Sequence, residues 1–146
     1  MKLLIVNGPN LNMLGIRERH LYGDRDYAAL CAAIRGWADE MGMEVELFQS
    51  NHEGAIVDRI QQAYDDGTQG IVINPAAYTH TSVAILDALK AVQLPAAEVH
   101  LTDVNAREPF RRISYAGMAC QAHFIGMGFE GYRKAMAWVV TQTEER

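Results

Sequence analysis

The sequence predicts an α/β fold, a three-layer sandwich built on a five-stranded parallel sheet. Short apolar runs alternate with amphipathic helical patterns along all 146 residues, the arrangement that buries a parallel sheet between two layers of helices. One of the runs, Glu44–Gln49, instead alternates Glu with Val or Leu, as an edge strand with one wet face does. The length suits a single domain of residues 1–146, since domains commonly hold about 100–150 residues and bury roughly two thirds of their unfolded surface at this size.

Lys2–Asn7 reads as a buried strand. Asp26 is placed to cap a helix in which Tyr27, Leu30, Cys31, Ile34, Ala38 and Met41 share one face, and Gly42 ends it. The edge strand follows. Gly54–Tyr64 is helical, with Ile56, Ile60 and Tyr64 on one side and Asp65-Asp66-Gly67 closing it. Gly70–Asn74 is a buried strand, Ser82–Val92 a helix, and Ala96–His100 a strand introduced by Pro95. His123–Met127 supplies the fifth strand and Tyr132–Thr141 the last helix. The alternating second strand favours a flavodoxin-like order, which puts it at an edge. No repeat, low-complexity segment or linker divides the chain.

Composition removes several classes of function. Hydrophobic residues make up 49% of the chain, too many for a disordered protein. A net charge of −5 is the wrong sign for displacing counterions from nucleic acid. The apolar stretches fall far short of the roughly 20 residues that cross a bilayer, and the N-terminus runs into strand-like sequence with no secretory h-region. A cytoplasmic location is expected. Cys31 and Cys120 lack metal-ligand spacing and make no disulfide framework; Cys31 falls on the apolar helix stripe, where a core thiol is expected.

The strand ends carry the polar groups. Asn7 and Asn10 follow the first strand, Asn74, Thr79, His80, Thr81 and Ser82 the third, and Glu98, His100 and Thr102 the fourth. These are hydrogen-bonding groups with little concentrated acid, better suited to a small polyhydroxylated ligand than to a metal ion. Arg17 and Arg111 add forks for a carboxylate. Gly8–Arg25 is also far longer than the roughly 2–6 residues a βα loop needs, and long loops at strand ends are where α/β proteins place chemistry and lids.

Each feature has a plainer explanation. Asn7-Gly8-Pro9-Asn10 is turn-forming sequence, Thr79–Ser82 contains helix N-cap residues, and His100 has the setting of a satisfied core histidine. Arg107, Arg111 and Arg112 suit a solvated basic face, and Tyr22 suits simple packing. Their position after successive strands of one sheet favours the site. Two motifs mislead. Gly126-Met127-Gly128-Phe129-Glu130-Gly131 matches a dinucleotide fingerprint, but no later strand follows to supply the ribose-binding acid, so a tight turn is expected. His52-Glu53 begins like a zinc-protease helix, yet Ile56 occupies the second ligand position.

The motifs, taken together, resemble a known family. Asn7-Gly8-Pro9-Asn10-Leu11-Asn12, Leu14-Gly15, Arg17-Glu18 and Tyr22-Gly23 are similar to the opening signature of type II 3-dehydroquinate dehydratases. Gln49–Gly54, Ile73-Asn74-Pro75, Thr79-His80-Thr81-Ser82, Glu98-Val99-His100, Ala106-Arg107-Glu108 and Phe110-Arg111 resemble its later blocks in the same order. The resemblance spans essentially the whole chain.

It implies conversion of 3-dehydroquinate to 3-dehydroshikimate by loss of water in the shikimate pathway, without metal or organic cofactor. By position, Tyr22 takes a proton from the carbon beside the ketone and Arg17 holds it as tyrosinate. A free tyrosine has a pKa near 10, so work near neutrality requires about 4 kcal/mol of help, which a close guanidinium supplies in large part. Asn10 holds a water or the enolate oxygen. His100 protonates the departing hydroxyl, oriented by Glu98. Asn74, His80, Leu101, Thr102 and Arg111 bind substrate, with Arg111 on its carboxylate. Asp87 reaches the site of a neighbouring subunit in a homododecamer built from trimers.

The alternative type I chemistry needs a Schiff-base lysine in a dry pocket. Only Lys2, Lys90 and Lys134 are present, at the N-terminus or on exposed-looking helical positions, so an enolate route is favoured. Some positions depart from the family pattern. Arg19 replaces a frequent Pro, Thr102 a common Ser and Asp103 a frequent Asn, while Pro75-Ala76-Ala77-Tyr78 replaces a glycine-containing loop. The competing expectation is a non-catalytic flavodoxin-like binding or signalling module. A phosphorylation receiver, however, wants acids where Asn7, Asn10 and Asn74 stand, and a flavin carrier wants a phosphate loop after the first strand.

Overall fold

The computed structural model describes residues 1–16 and 25–144. Five strands, β1 (Lys2–Asn7), β2 (Glu44–Gln49), β3 (Gly70–Asn74), β4 (Ala96–His100) and β5 (Ala122–Ile125), pair in parallel in the order β2-β1-β3-β4-β5. This is the flavodoxin-like order, with β2 and β5 at the edges. Four helices, α1 (Tyr27–Met41), α2 (Glu53–Gln62), α3 (Val83–Val92) and α4 (Glu130–Glu144), cover the two faces.

Residue alternation along the inner strands divides the core in two. Leu3, Ile5, Val72 and Val99 pack toward Leu30 and Ile34 of α1 and Met136 and Val139 of α4. Leu4, Val6, Ile71 and Ile73 pack toward Ile56 and Ile60 of α2 and Ile85 and Leu89 of α3. Successive side chains point to opposite faces, so an inner strand must be apolar at almost every position.

Local chemistry sets the helix ends. The Asp26 carboxylate accepts the Ala29 N–H at 2.8 Å, the Ser82 hydroxyl accepts that of Ile85 at 3.0 Å, and Gly42 ends α1 at φ 69°. Helix α2 stops at Gln62, so Tyr64 lies beyond it and is 75% exposed, while Ala63 takes the buried position. Strand β5 begins one residue early and ends at Ile125, because Gly126 turns the chain at φ 77°. With Gly128 at φ 59°, the glycine-rich segment is a tight turn between β5 and α4. Cys31 is half-buried at the margin of the α1 stripe rather than in the core, whereas Cys120 is buried. Among the described residues, no helix is long and apolar enough to cross a membrane.

The order of strands reverses between β1 and β3, and a crevice opens beyond their C-terminal ends. There Gly8 donates its N–H to the Asn74 carbonyl at 2.8 Å. A Cβ at Gly8 would stand 2.4 Å from the Pro75 carbonyl oxygen, so only glycine lets the two loops meet.

Candidate active site

The floor of the crevice is a buried polar ladder. The hydroxyl of Tyr132, on α4, donates to Asn7 Oδ1 at 2.6 Å and accepts from Asn74 Nδ2 at 3.0 Å. Asn74 Oδ1 in turn accepts the Ala76 N–H at 3.2 Å. The side chains that end β1 and β3 are thus fixed from below. Ala76 adopts φ 52°, the left-handed region that glycine enters without cost.

Above this floor lies a cavity of about 120 Å³, lined among others by Asn10, Asn74, His80, His100, Thr102 and Arg111. It is smaller than the roughly 300 Å³ at which pockets for drug-sized ligands begin, and fits a compact metabolite. Leu101 and Arg107 also line it. Asn10 itself sits at φ 70°, its N–H held by Asn51 Oδ1 at 3.0 Å.

Strand β4 brings up the most concentrated chemistry. Glu98 and His100 are two residues apart and so share a face of the sheet; Nε2 of His100 lies 2.7 Å from Glu98 Oε2. Glu98 is 2% exposed. Burial pushes its pKa up, but bonds from His100, Ser114 and His123 outweigh this and hold it at about 2. A carboxylate only accepts hydrogen bonds, so His100 donates through Nε2 and its Nδ1 is the ring atom left for other work. Ser114 Oγ also donates to Oε2, and His123 Nδ1 stands 2.7 Å from Oε1.

The cationic side is tethered in its own way. Arg111 Nε donates to Glu108 Oε2 at 2.5 Å, beside the Phe110 ring. His80 Nδ1 lies 2.8 Å from the Ile113 carbonyl, which can only accept, so His80 donates there. Burial, with His100 and Arg111 nearby, lowers the His80 pKa against the opposing bond to Ile113.

The structure therefore brings Asn10, Asn74, His80, His100, Leu101, Thr102 and Arg111 to one cavity, with Glu98 behind His100. Asp87 is not among them; it is exposed on the outer face of α3. Arg17, Arg19 and Tyr22 lie outside the described residues. Asp103 accepts the Asn105 N–H at 3.0 Å, capping a short turn. No lysine lines the cavity among the described residues, and no group of three or more His, Cys, Asp or Glu there could hold a metal ion. Sequence reasoning missed Ser114, Gly117 and His123. A Cβ at Gly117 would stand 2.6 Å from Glu98 Oε1, so this glycine makes room for the carboxylate. For His123 the signal was its pairing opposite Glu98 in the sheet, legible only once β4 and β5 are known to be neighbours.

The dehydroquinase class II family model matches residues 1–140. The chain is 51% identical to the 3-dehydroquinate dehydratase of Lachnospira eligens over 141 residues, 96% of each protein. It is 49% identical to the catabolic 3-dehydroquinase of Aspergillus clavatus, covering 99% of this chain and 95% of that one. The crystal structure of the type II dehydroquinase from Butyrivibrio crossotus superposes with a TM-score of 0.94 at 50% identity, covering 96% of this chain and 97% of that chain. The chain belongs to the dehydroquinase class II family.

Proposed function

We propose that this protein is a type II 3-dehydroquinate dehydratase of the shikimate pathway, a hydro-lyase that removes water from 3-dehydroquinate to give 3-dehydroshikimate. The observation that carries the mechanism is the buried Glu98–His100 pair, 2.7 Å apart, at the wall of a small polar cavity. A carboxylate behind an imidazole keeps its proton available and its ring oriented, which suits a general acid. The substrate carries a carboxylate and several hydroxyls, and Arg111, Asn74, His80 and Thr102 offer complementary groups around the same cavity.

In this reading the elimination is anti and stepwise. Tyr22, held as tyrosinate by Arg17, removes the proton on the carbon next to the ketone and leaves an enolate. Asn10 stabilises the enolate oxygen, directly or through a water. Collapse of the enolate expels the hydroxyl from the next carbon as His100 protonates it. The products are water and a conjugated ketone, and atoms balance without a redox partner. Neither a metal nor an organic cofactor has a part in these steps.

Residues 1–146 form one catalytic domain. Asp87 completes a neighbouring subunit's site within a homododecamer of four trimers; its exposed place on α3, away from its own cavity, supports this. The enzyme works in the cytoplasm. A relative named 3-dehydroquinate dehydratase and one named catabolic 3-dehydroquinase match it about equally. Incubation with 3-dehydroquinate tests the reading: the ultraviolet absorbance of a conjugated ketone should rise in proportion to enzyme. Absence of that absorbance would favour a non-catalytic binding module. Sedimentation at a mass below that of a dodecamer would remove the assembly.

A further inference from the structure

The Glu98 network reaches further than the reaction requires. Its carboxylate is 2% exposed and bonded at both oxygens, by His100 and Ser114 on Oε2 and by His123 on Oε1. His123 stands directly opposite Glu98 in the pairing of β4 with β5. It does not line the cavity, and 43% of its side chain is exposed. Because Glu98 is ionised and only accepts, His123 must donate from Nδ1, leaving Nε2 free to take up a proton.

We propose that His123 is a positioning residue for the elimination: from the edge strand it holds the second oxygen of Glu98 and thereby sets how strongly Glu98 grips the acid His100. This rests on the dehydratase reading given above. One negative charge serves two imidazoles. A hydrogen bond from His123 draws on the same carboxylate charge that accepts from His100, so the two rings share one acceptor. A less tightly held proton passes more readily to the departing hydroxyl. Among the described residues, the other charged or titratable groups that act at this point are His80, Arg111 and Cys120. His80 lies in the field of His100 and Glu98 with its pKa lowered chiefly by burial, Arg111 acts on His80, and burial pushes up the Cys120 thiol beside Glu98.

Two variants separate holding from charge. Asn at 123 places an amide N–H near the position of Nδ1 but takes up no proton; Val keeps a strand residue and offers neither. With His123→Val, kcat should fall about tenfold and KM should stay within about twofold, since the residue acts through the general acid and touches no substrate. The basic limb of the kcat profile, where His100 loses its proton, should move up by about half a pH unit or more. His123→Asn should recover most of kcat and show a smaller shift. The titration of the His100 ring, followed by NMR on each full-length protein, should rise in the same order. That readout needs no turnover, so it still decides the coupling if the wild-type protein fails to dehydrate 3-dehydroquinate. An unchanged His100 titration and an unchanged profile in His123→Asn and His123→Val would overturn the proposal, as would equal loss of kcat in both variants with no shift.

Discussion

His100 and Glu98 meet Nε2 to Oε2 at 2.7 Å with both side chains almost fully buried. An exposed pair at this distance is worth little; here the carboxylate is wrapped in donors and shielded from water, so its charge acts almost wholly on its neighbours. The pair therefore ties the fold of β4 to the acid step of the proposed chemistry.

Glu98→Gln removes that charge while preserving size. His100 then loses the ionised acceptor that holds its ring. We expect kcat to fall by about tenfold to a hundredfold, less than the loss of the general acid itself because His100 remains, and the basic limb of the pH profile to move to lower pH. A limb that stays in place would separate Glu98 from the acid. The same carboxylate bears on stability: its folded pKa of about 2 lies below its ordinary 4.5. Its contribution is fully present above about pH 4.5 and is lost as the pH falls toward 2. Urea midpoints across that interval should fall more steeply in the wild type than in Glu98→Gln.

Tyr132→Phe should destabilise the protein by about 2–3 kcal/mol, because two buried amide groups lose their partner at once. Its hydroxyl joins Asn7 to Asn74 under the cavity. Urea unfolding measures the change; a loss below about 0.5 kcal/mol would mean that the ladder is satisfied another way.

Arg111→Lys should raise KM about tenfold with kcat within about threefold, since an ammonium keeps the charge but not the fork that meets a carboxylate. Steady-state kinetics with 3-dehydroquinate decide it. Equal KM values would place the substrate carboxylate elsewhere, Arg107 being the other arginine on the cavity wall.

Ala76→Gly relieves a left-handed alanine at φ 52°. The strain is about 1 kcal/mol, partly offset by the greater freedom of an unfolded glycine. Denaturation should show a neutral to slightly stabilised protein, by up to about 1 kcal/mol; clear destabilisation would show that the methyl group's packing outweighs the strain.

The fold was legible because the inner strands are largely apolar on both faces and two of the helices carry side-chain caps, at Asp26 and Ser82. Those signals are local. The cavity was legible in part, since polar residues at successive strand ends converge once the strands are parallel. What escaped depends on contacts distant in sequence. Arg59 is 5% exposed and bridges Glu46 of β2 and Asp66 after α2, yet in the sequence it reads as an ordinary helix charge. His123 gained meaning only from its register with Glu98. Asp87 lies exposed on the outer face of α3 and is not one of the described residues lining its own cavity. Arg17 and Tyr22 rest on motif similarity alone, since they fall outside the described residues.

The most direct test of the proposed chemistry is turnover of 3-dehydroquinate by Tyr22→Phe, measured beside its melting curve and sedimentation. Phenylalanine keeps the size of the side chain and lacks the base. Activity should fall by at least about a thousandfold, in keeping with loss of a general base, with melting and oligomeric state unchanged. Turnover near the wild-type rate would contradict the account.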